Sequence, residues 1–331
     1  MRLNLSHTPM LIALQIIGGL LLLVAGGEAL VRGAVSLANR VGIPIVIIGL
    51  TIVAMGTSAP EMVVAVMASL GGHPDITLGN VVGSNVANSL LVLGATALVY
   101  PVASNPALGR RDGIFLLAVS LLTVWMMQDA LIGRMDGGVL LALFSGYLGV
   151  MYLLSRKKQP QELVQEFEEE ASFRYSLLLA VPMIIAGIGF LVYGAQILVE
   201  GSSTLARLFG ISEAVIGSTI VAAGTSAPEL VTCVVAACRK HADIALANVL
   251  GSNLFNLIAV LGMAGVITPV AVSGQFMYTD GWIMVAASVV LLPMMLFFKQ
   301  IGRLPGALLL LGYGGYLYYQ YLLAIAPVTT G

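Results

Sequence analysis

Two copies of one hexapeptide carry the residues best suited to chemistry. Gly-Thr-Ser-Ala-Pro-Glu runs from Gly56 to Glu61 and again from Gly224 to Glu229, each time inside an apolar stretch long enough to cross a bilayer. A charged group at the centre of a membrane helix costs about 2.5–3.5 kcal/mol on insertion scales, so a matched pair of carboxylates points to a use. Pro60 and Pro228 have no N–H, which leaves the carbonyls of Gly56 and Gly224 without their helical partners. In lipid such a carbonyl persists only where protein, water or a ligand satisfies it. Carbonyl oxygens, a Thr hydroxyl and a Glu carboxylate within one turn form a hard, oxygen-rich site suited to a cation. Thr57 lies four residues before Glu61 and Thr225 four before Glu229, so each pair shares a face wherever the helix persists.

The segments that follow carry polar stripes. Asn80, Ser84 and Asn88 recur every fourth residue, as do Asn248, Ser252 and Asn256, with Gly79, Gly83, Ala247 and Gly251 allowing close helix approach. A single Ser or Asn in a membrane helix commonly makes an interhelical hydrogen bond; two identical stripes, each beside an intramembrane Glu, fit a cation path better. Ca²⁺ takes about 6–8 oxygens in flexible geometry, and Na⁺ accepts the same donors. Two ionised Glu repel, so without a divalent ion the site must take up monovalent cations or protons. That mutual exclusion is sufficient for antiport.

The elements that must position these groups follow from composition and repeat. The chain is 59% hydrophobic and 9% charged, with a mean hydropathy of +0.99, which identifies an integral membrane protein. Basic and acidic residues number 15 and 16, leaving no nucleic-acid footprint. Cys233 and Cys238 give neither a disulfide framework nor a metal spacing, and His7, His73 and His241 fall at the N-terminus and in connections. The stretch from Met10 to Leu30 reads as a spanning helix rather than a signal peptide. Apolar runs predict ten spans, at 10–38, 43–70, 77–99, 112–128, 137–154, 175–204, 211–238, 244–267, 280–298 and 305–325. Odd-numbered connections hold all but three of the 15 Lys and Arg, the exceptions being Arg2, Arg134 and Arg207. This asymmetry predicts that those connections are cytoplasmic and that both termini are extracytoplasmic.

Glu61 and Glu229 are 168 positions apart, and the same interval relates Asp75 to Asp243, Asn80 to Asn248 and Asn85 to Asn253. More than half of the positions in Ile43–Gly94 are identical to Ile211–Gly262 without a gap. The duplication divides the chain into a first five-helix half (1–155, motif 49–94), a linker (156–173) and a second half (174–331, motif 217–262). An odd number of spans per half inverts the second copy, so broken helices from both halves meet near the midplane. The fold class expected is therefore an all-α integral membrane protein of ten transmembrane helices in two inverted repeats. The linker, basic at Arg156–Lys158 and then acidic, reads as a solvated connection. Glu28 and Arg32 suit an i,i+4 pair, Asp75 and Asp243 helix caps, and Glu200 a helix end. Tyr316, Tyr318, Tyr319 and Tyr321 suit an interfacial anchor or packing.

The paired Gly-Thr-Ser-Ala-Pro-Glu motifs and the two Gly-Ser-Asn-x-x-Asn segments (Gly83–Asn88, Gly251–Asn256) resemble the alpha repeats of the cation/calcium antiporter superfamily. The chain is most similar to the short prokaryotic sodium/calcium exchangers, over nearly its whole length. The resemblance implies four clustered cation sites at mid-membrane. Glu61, Glu229, Thr57 and Thr225 would hold Ca²⁺, while Ser84, Ser252, Asn88, Asn256 and the carbonyls of Ala54 and Ala222 would add sodium ligands. Ser58 and Ser226 join that expected set. The long first and sixth helices would slide across the remaining bundle. One departure is Asn256, where the archaeal exchanger type has Asp, which opens the charge of the middle site, the sodium stoichiometry and any potassium role.

The expectation is a Na⁺/Ca²⁺ antiporter of a prokaryotic inner membrane, with Ca²⁺ extrusion, no cofactor, no enzymatic role, membrane lipid as its surroundings and a monomeric state. A H⁺-coupled or K⁺-dependent exchanger is the alternative. A channel would need a continuous pore. An intramembrane hydrolase built on Ser58 or Ser226 lacks a His or Lys placed to act as base.

Overall fold

In hydrocarbon every backbone N–H and C=O must be satisfied internally, and this apolar chain does so with helices. A computed structural model of the chain describes residues 9–41, 58–104, 106–155, 175–238 and 243–325. The first half contributes α1 (Pro9–Val41), α2 (Ala59–Leu70), α3 (Pro74–Val99), α4 (Gly109–Asp129) and α5 (Arg134–Ser155). The second contributes α6 (Leu177–Phe209), α7 (Glu213–Thr225), α8 (Ala227–Cys238), α9 (243–267), α10 (Phe276–Phe297) and α11 (Arg303–Ile325). Eight of these are long and apolar enough to cross a membrane, and α7 with α8 makes a ninth if the pair, bent by 41°, is a single span.

Two small antiparallel ladders bear on that point. Strand β1 (Val102–Ala103) pairs with β4 (Gln300–Ile301), and β2 (Leu131–Ile132) pairs with β3 (Val270–Ala271). Paired strands in connections lie at the same membrane face, so an even number of crossings separates them. Counting α7–α8 once puts six crossings between β1 and β4 and four between β2 and β3; counting it twice makes both numbers odd. The even counts agree with a single broken span. The span expected at 43–70 begins in residues that lie outside the described ones, and α2 is its described part.

Helices α1 and α6 pack antiparallel at backbone distance. A Cβ on Gly19 would lie 2.9 Å from the Gly194 oxygen, one on Gly26 2.9 Å from the Gly187 oxygen, and one on Gly33 2.8 Å from the Ala180 oxygen. Gly187 and Gly194 stand 168 residues after Gly19 and Gly26, so the contacts are reciprocal across the crossing. Related contacts recur elsewhere: Gly94 abuts Gly306 and Gly262 abuts Gly137, one residue out of the 168-residue register, while Ser120 Oγ lies 3.3 Å from Ser288 Oγ, its equivalent in that register. Helices α3 and α9 fill the centre, while Leu178, Ile185, Leu153 and Leu311 are exposed on the rim, as lipid-facing side chains must be.

Several local expectations are corrected. Helix α6 continues to Phe209, so Glu200 lies within it on an exposed face rather than at its end. His73 occupies the cap position of α3 and Asp75 follows Pro74, because proline suits the first helical position, where no N–H is needed. Tyr316 is buried, so an interfacial role is left to Tyr318 and Tyr321. Helices α4 and α10 begin before 112 and 280, which places Asp112 and Asp280 inside the bundle. The Glu28–Arg32 pair forms as expected, on an exposed face.

The α1–α6 crossing yields a paired test on adjacent residues. Gly19→Ala should lower the melting temperature through overpacking of about 1–3 kcal/mol. Gly18→Ala, with nothing within 4 Å of the new methyl, should leave it unchanged or raise it. Thermal unfolding of the two purified variants checks this.

Candidate cation site

The broken span of the second half turns at Ser226, and Ser58 stands in the equivalent place at the start of α2. Ser58 has φ −91°, ψ 10° and Ser226 φ −81°, ψ 5°, the sparsely populated bridge region that recurs at functional sites. The carbonyl of each serine accepts the first bond of the helix that follows, from Met62 N–H at 3.2 Å and Leu230 N–H at 3.1 Å. Proline fits the second helical position of α2 and α8 because no donor is required there. The break separates Thr225, at the end of α7, from Glu229, in the first turn of α8, so these two do not share one continuous helix face.

The turns bring the two halves together crosswise. Ser58 Oγ donates to Glu229 Oε1 at 2.9 Å, and Ser226 Oγ donates to Glu61 Oε1 at 3.2 Å. Both carboxylates are buried, at 0% and 1% exposure, and each is within reach of the other's charge. Asn80 on α3 braces the arrangement: its Nδ2 donates to the Glu61 carbonyl at 3.0 Å and its Oδ1 accepts from Thr225 Oγ1 at 3.0 Å. Thr225 Oγ1 also reaches the Ala222 carbonyl at 3.2 Å, and Ser84 Oγ lies 3.4 Å from both. Ala222, Thr225 and Ser84 thus converge beside the glutamates.

Asn88 and Asn256 are fully buried, and neither amide has a hydrogen-bond partner among the described residues. Glu61 Oε2 and Ser252 Oγ are likewise unpartnered there. A buried polar atom left unmade costs about 1–3 kcal/mol, which a coordinated ion offsets. Both asparagines lie in π-helical turns, Ala87–Val92 and Phe255–Val260, at equivalent positions of the repeat. Such turns interrupt the regular backbone ladder and recur at functional sites. Among the described residues no group of three His, Cys, Asp or Glu could hold a metal, so any ion here meets two carboxylates and neutral oxygens.

The hydrogen bonds therefore gather Glu61, Glu229, Ser58, Ser226, Thr225, Ser84 and the Ala222 carbonyl. Ser252, Asn88 and Asn256 are buried on α9 and α3, without a described bond to either glutamate. Thr57 and Ala54 lie outside the described residues. The repeat is not followed everywhere: Asn248 donates to Cys233 Sγ at 3.2 Å, whereas its counterpart Asn80 serves the Glu61 backbone. Asn80 was legible as part of the polar stripe, but spacing alone did not mark it as the residue joining Glu61 to Thr225.

Similarity to known proteins agrees with this geometry. The profile of the family described as "Sodium/calcium exchanger protein" matches residues 11–153 and 179–322, stretches whose starts are 168 residues apart. The putative antiporter CaxA of Alkalimonas amylolytica is 38% identical over 309 residues, covering 92% of this chain and 96% of its own. The sodium/calcium exchanger MaX1 of Methanosarcina acetivorans is 30% identical, with 90% and 95% covered. The solved structure of the sodium-calcium exchanger NCX_Mj superposes with a TM-score of 0.63 at 28% identity, covering 97% of this chain and all of that one.

If the serines hold the carboxylates crosswise, Ser58→Ala and Ser226→Ala should weaken divalent-cation binding alike. Hydrogen bonds to charged groups of about 1.5–3 kcal/mol correspond to roughly 10- to 100-fold in affinity. Titration calorimetry on each variant measures it; an effect from only one serine would break the symmetry argument.

Proposed function

This chain belongs to the sodium/calcium exchanger protein family, and we propose that it is a secondary antiporter exchanging Na⁺ for Ca²⁺ across the membrane by alternating access. The observation that carries the reading is the crosswise pair of hydrogen bonds tying the serine of each half to the glutamate of the other. Ca²⁺ between Glu61 and Glu229 cancels their two charges and accepts further oxygens from Thr225 and Thr57. Sodium ions use the same carboxylates together with Ser84, Ser252, Asn88, Asn256 and the carbonyls of Ala222 and Ala54. Ser58 and Ser226 complete the set by orienting the carboxylates.

Occupancy by one ion type excludes the other because both need the same negative charge. The unoccupied pocket carries two uncompensated charges, and moving it between faces is costly; a loaded pocket is close to neutral and can exchange sides. Coupling follows without any contact between Na⁺ and Ca²⁺. The physiological direction we assign is Ca²⁺ extrusion against inward Na⁺, in a prokaryotic inner membrane.

The architecture we propose is ten spans in two inverted halves, 1–155 and 174–331, joined by a cytoplasmic linker at 156–173, with both termini extracytoplasmic. The reciprocal contacts of Gly19 with Gly194 and of Gly26 with Gly187, and the even crossing counts between paired strands, support it. The linker itself lies outside the described residues.

Protein in sodium-loaded liposomes should take up Ca²⁺ when external sodium is low. Glu61→Gln and Glu229→Gln should each abolish this uptake. Uptake driven by a pH gradient and indifferent to sodium would replace Na⁺ with H⁺ as the coupling ion.

A further inference from the structure

Asp280 is a carboxylate sealed inside this bundle away from the glutamate pair. It is fully buried in the second turn of α10, and no Lys, Arg or His among the described residues pairs with it. Its Oδ2 accepts three hydrogen bonds from neutral donors: Gln275 Nε2 at 2.8 Å, Gln320 Nε2 at 2.9 Å and Ser218 Oγ at 3.3 Å. Oδ1 has no partner among the described residues. Tyr316, one turn before Gln320 on α11, is buried within reach of the Asp280 charge, and its hydroxyl is also unpartnered there. Asp280 Oδ1 and the Tyr316 hydroxyl are thus two buried oxygens within reach of one charge that have no described hydrogen-bond partner.

The duplicated position shows what is missing. Asp112, 168 residues earlier, is buried too, but Arg111 grips both of its oxygens, Nε to Oδ1 at 2.8 Å and Nη2 to Oδ2 at 2.7 Å. In the second half Thr279 stands where Arg111 does, so the counter-charge has no equivalent. Neutral amides and a hydroxyl can hydrogen-bond a carboxylate but cannot cancel its charge in an apolar bundle.

We propose that Asp280, Tyr316, Gln275, Gln320 and Ser218 form a site for one monovalent metal cation, Na⁺ or K⁺, separate from the Glu61–Glu229 pocket. A single carboxylate with neutral oxygens is balanced by a single positive charge, whereas a divalent ion would leave an excess. The amide groups of Gln275 and Gln320 can present oxygen instead of N–H by turning about their last torsion. Ser218 lies seven residues before Thr225 in the same span, about 10 Å along the axis, so this cation sits on the helix that lines the central pocket. Ser218 also packs its backbone against α3 at Gly79 and Gly83, where an added Cβ would come within 2.7 Å. Occupancy is thereby linked to the helix that carries Asn80 and Ser84.

The test removes the central carboxylates first, so that it stands apart from the exchange assay. The double variant Glu61→Gln/Glu229→Gln is purified and unfolded thermally in sodium, potassium or choline chloride at equal ionic strength, without calcium. Sodium or potassium should raise the melting temperature above choline by about 2 °C at ten times the dissociation constant, and the ion that does so identifies the occupant. Asp280→Asn in this background should abolish the difference. Thr279→Arg should do the same while keeping the high melting temperature in choline, because its guanidinium replaces the cation as Arg111 serves Asp112; this variant decides the matter if Asp280→Asn does not fold. Equal melting in all three salts, or a sodium or potassium effect that survives both substitutions, would overturn the proposal.

Discussion

A carboxylate inside a membrane must be compensated, and two facing each other must be compensated together. Most of this structure follows from that constraint. Glu61 and Glu229 come from opposite halves of the chain, yet each is held by the hexapeptide serine of the other half. Neither half can build its side of the pocket alone. Asn88, Asn256 and Ser252, on the two central helices, keep buried polar atoms without a described partner.

The duplication is expressed in contacts as well as in letters. Equivalent positions touch across the molecule at Ser120 and Ser288, and glycines trade places at the α1–α6 crossing. Backbone-to-backbone packing of that kind holds α1 and α6 in close contact along their length. Their outward faces carry large apolar side chains such as Leu14, Ile17, Leu178 and Ile185, which suits a pair that lies against lipid while the centre stays packed. Where the halves diverge, the divergence is chemical: Asn80 braces Glu61 while Asn248 turns to Cys233, and Asp112 has an arginine that Asp280 lacks.

The hexapeptides, the polar stripes and the 168-residue interval were legible because they are local or periodic signals. The described spans begin and end within about five residues of expectation because lipid demands long apolar helices, while the start of the span expected at 43–70 lies outside the described residues. The crosswise serine bonds were not legible, since a hydroxyl's partner 171 residues away is fixed by packing alone. The separation of Thr225 from Glu229 depended on whether the helix survives its proline, a question of degree that spacing cannot answer. Asp112 and Asp280 were passed over for a simpler reason. Charges at the edge of an apolar run look like span ends, and only the added turns of α4 and α10 reveal them as interior.

The claim beneath all of this is that one ion touches both glutamates at once. Anomalous diffraction from crystals soaked in a heavier calcium substitute such as strontium measures that directly. The account predicts a single peak bonded to carboxylate oxygens of both Glu61 and Glu229, slightly beyond the about 2.3–2.6 Å of Ca²⁺–oxygen bonds and weakened as sodium is added. A peak bound to only one of them, or separate peaks at each that ignore sodium, would contradict it.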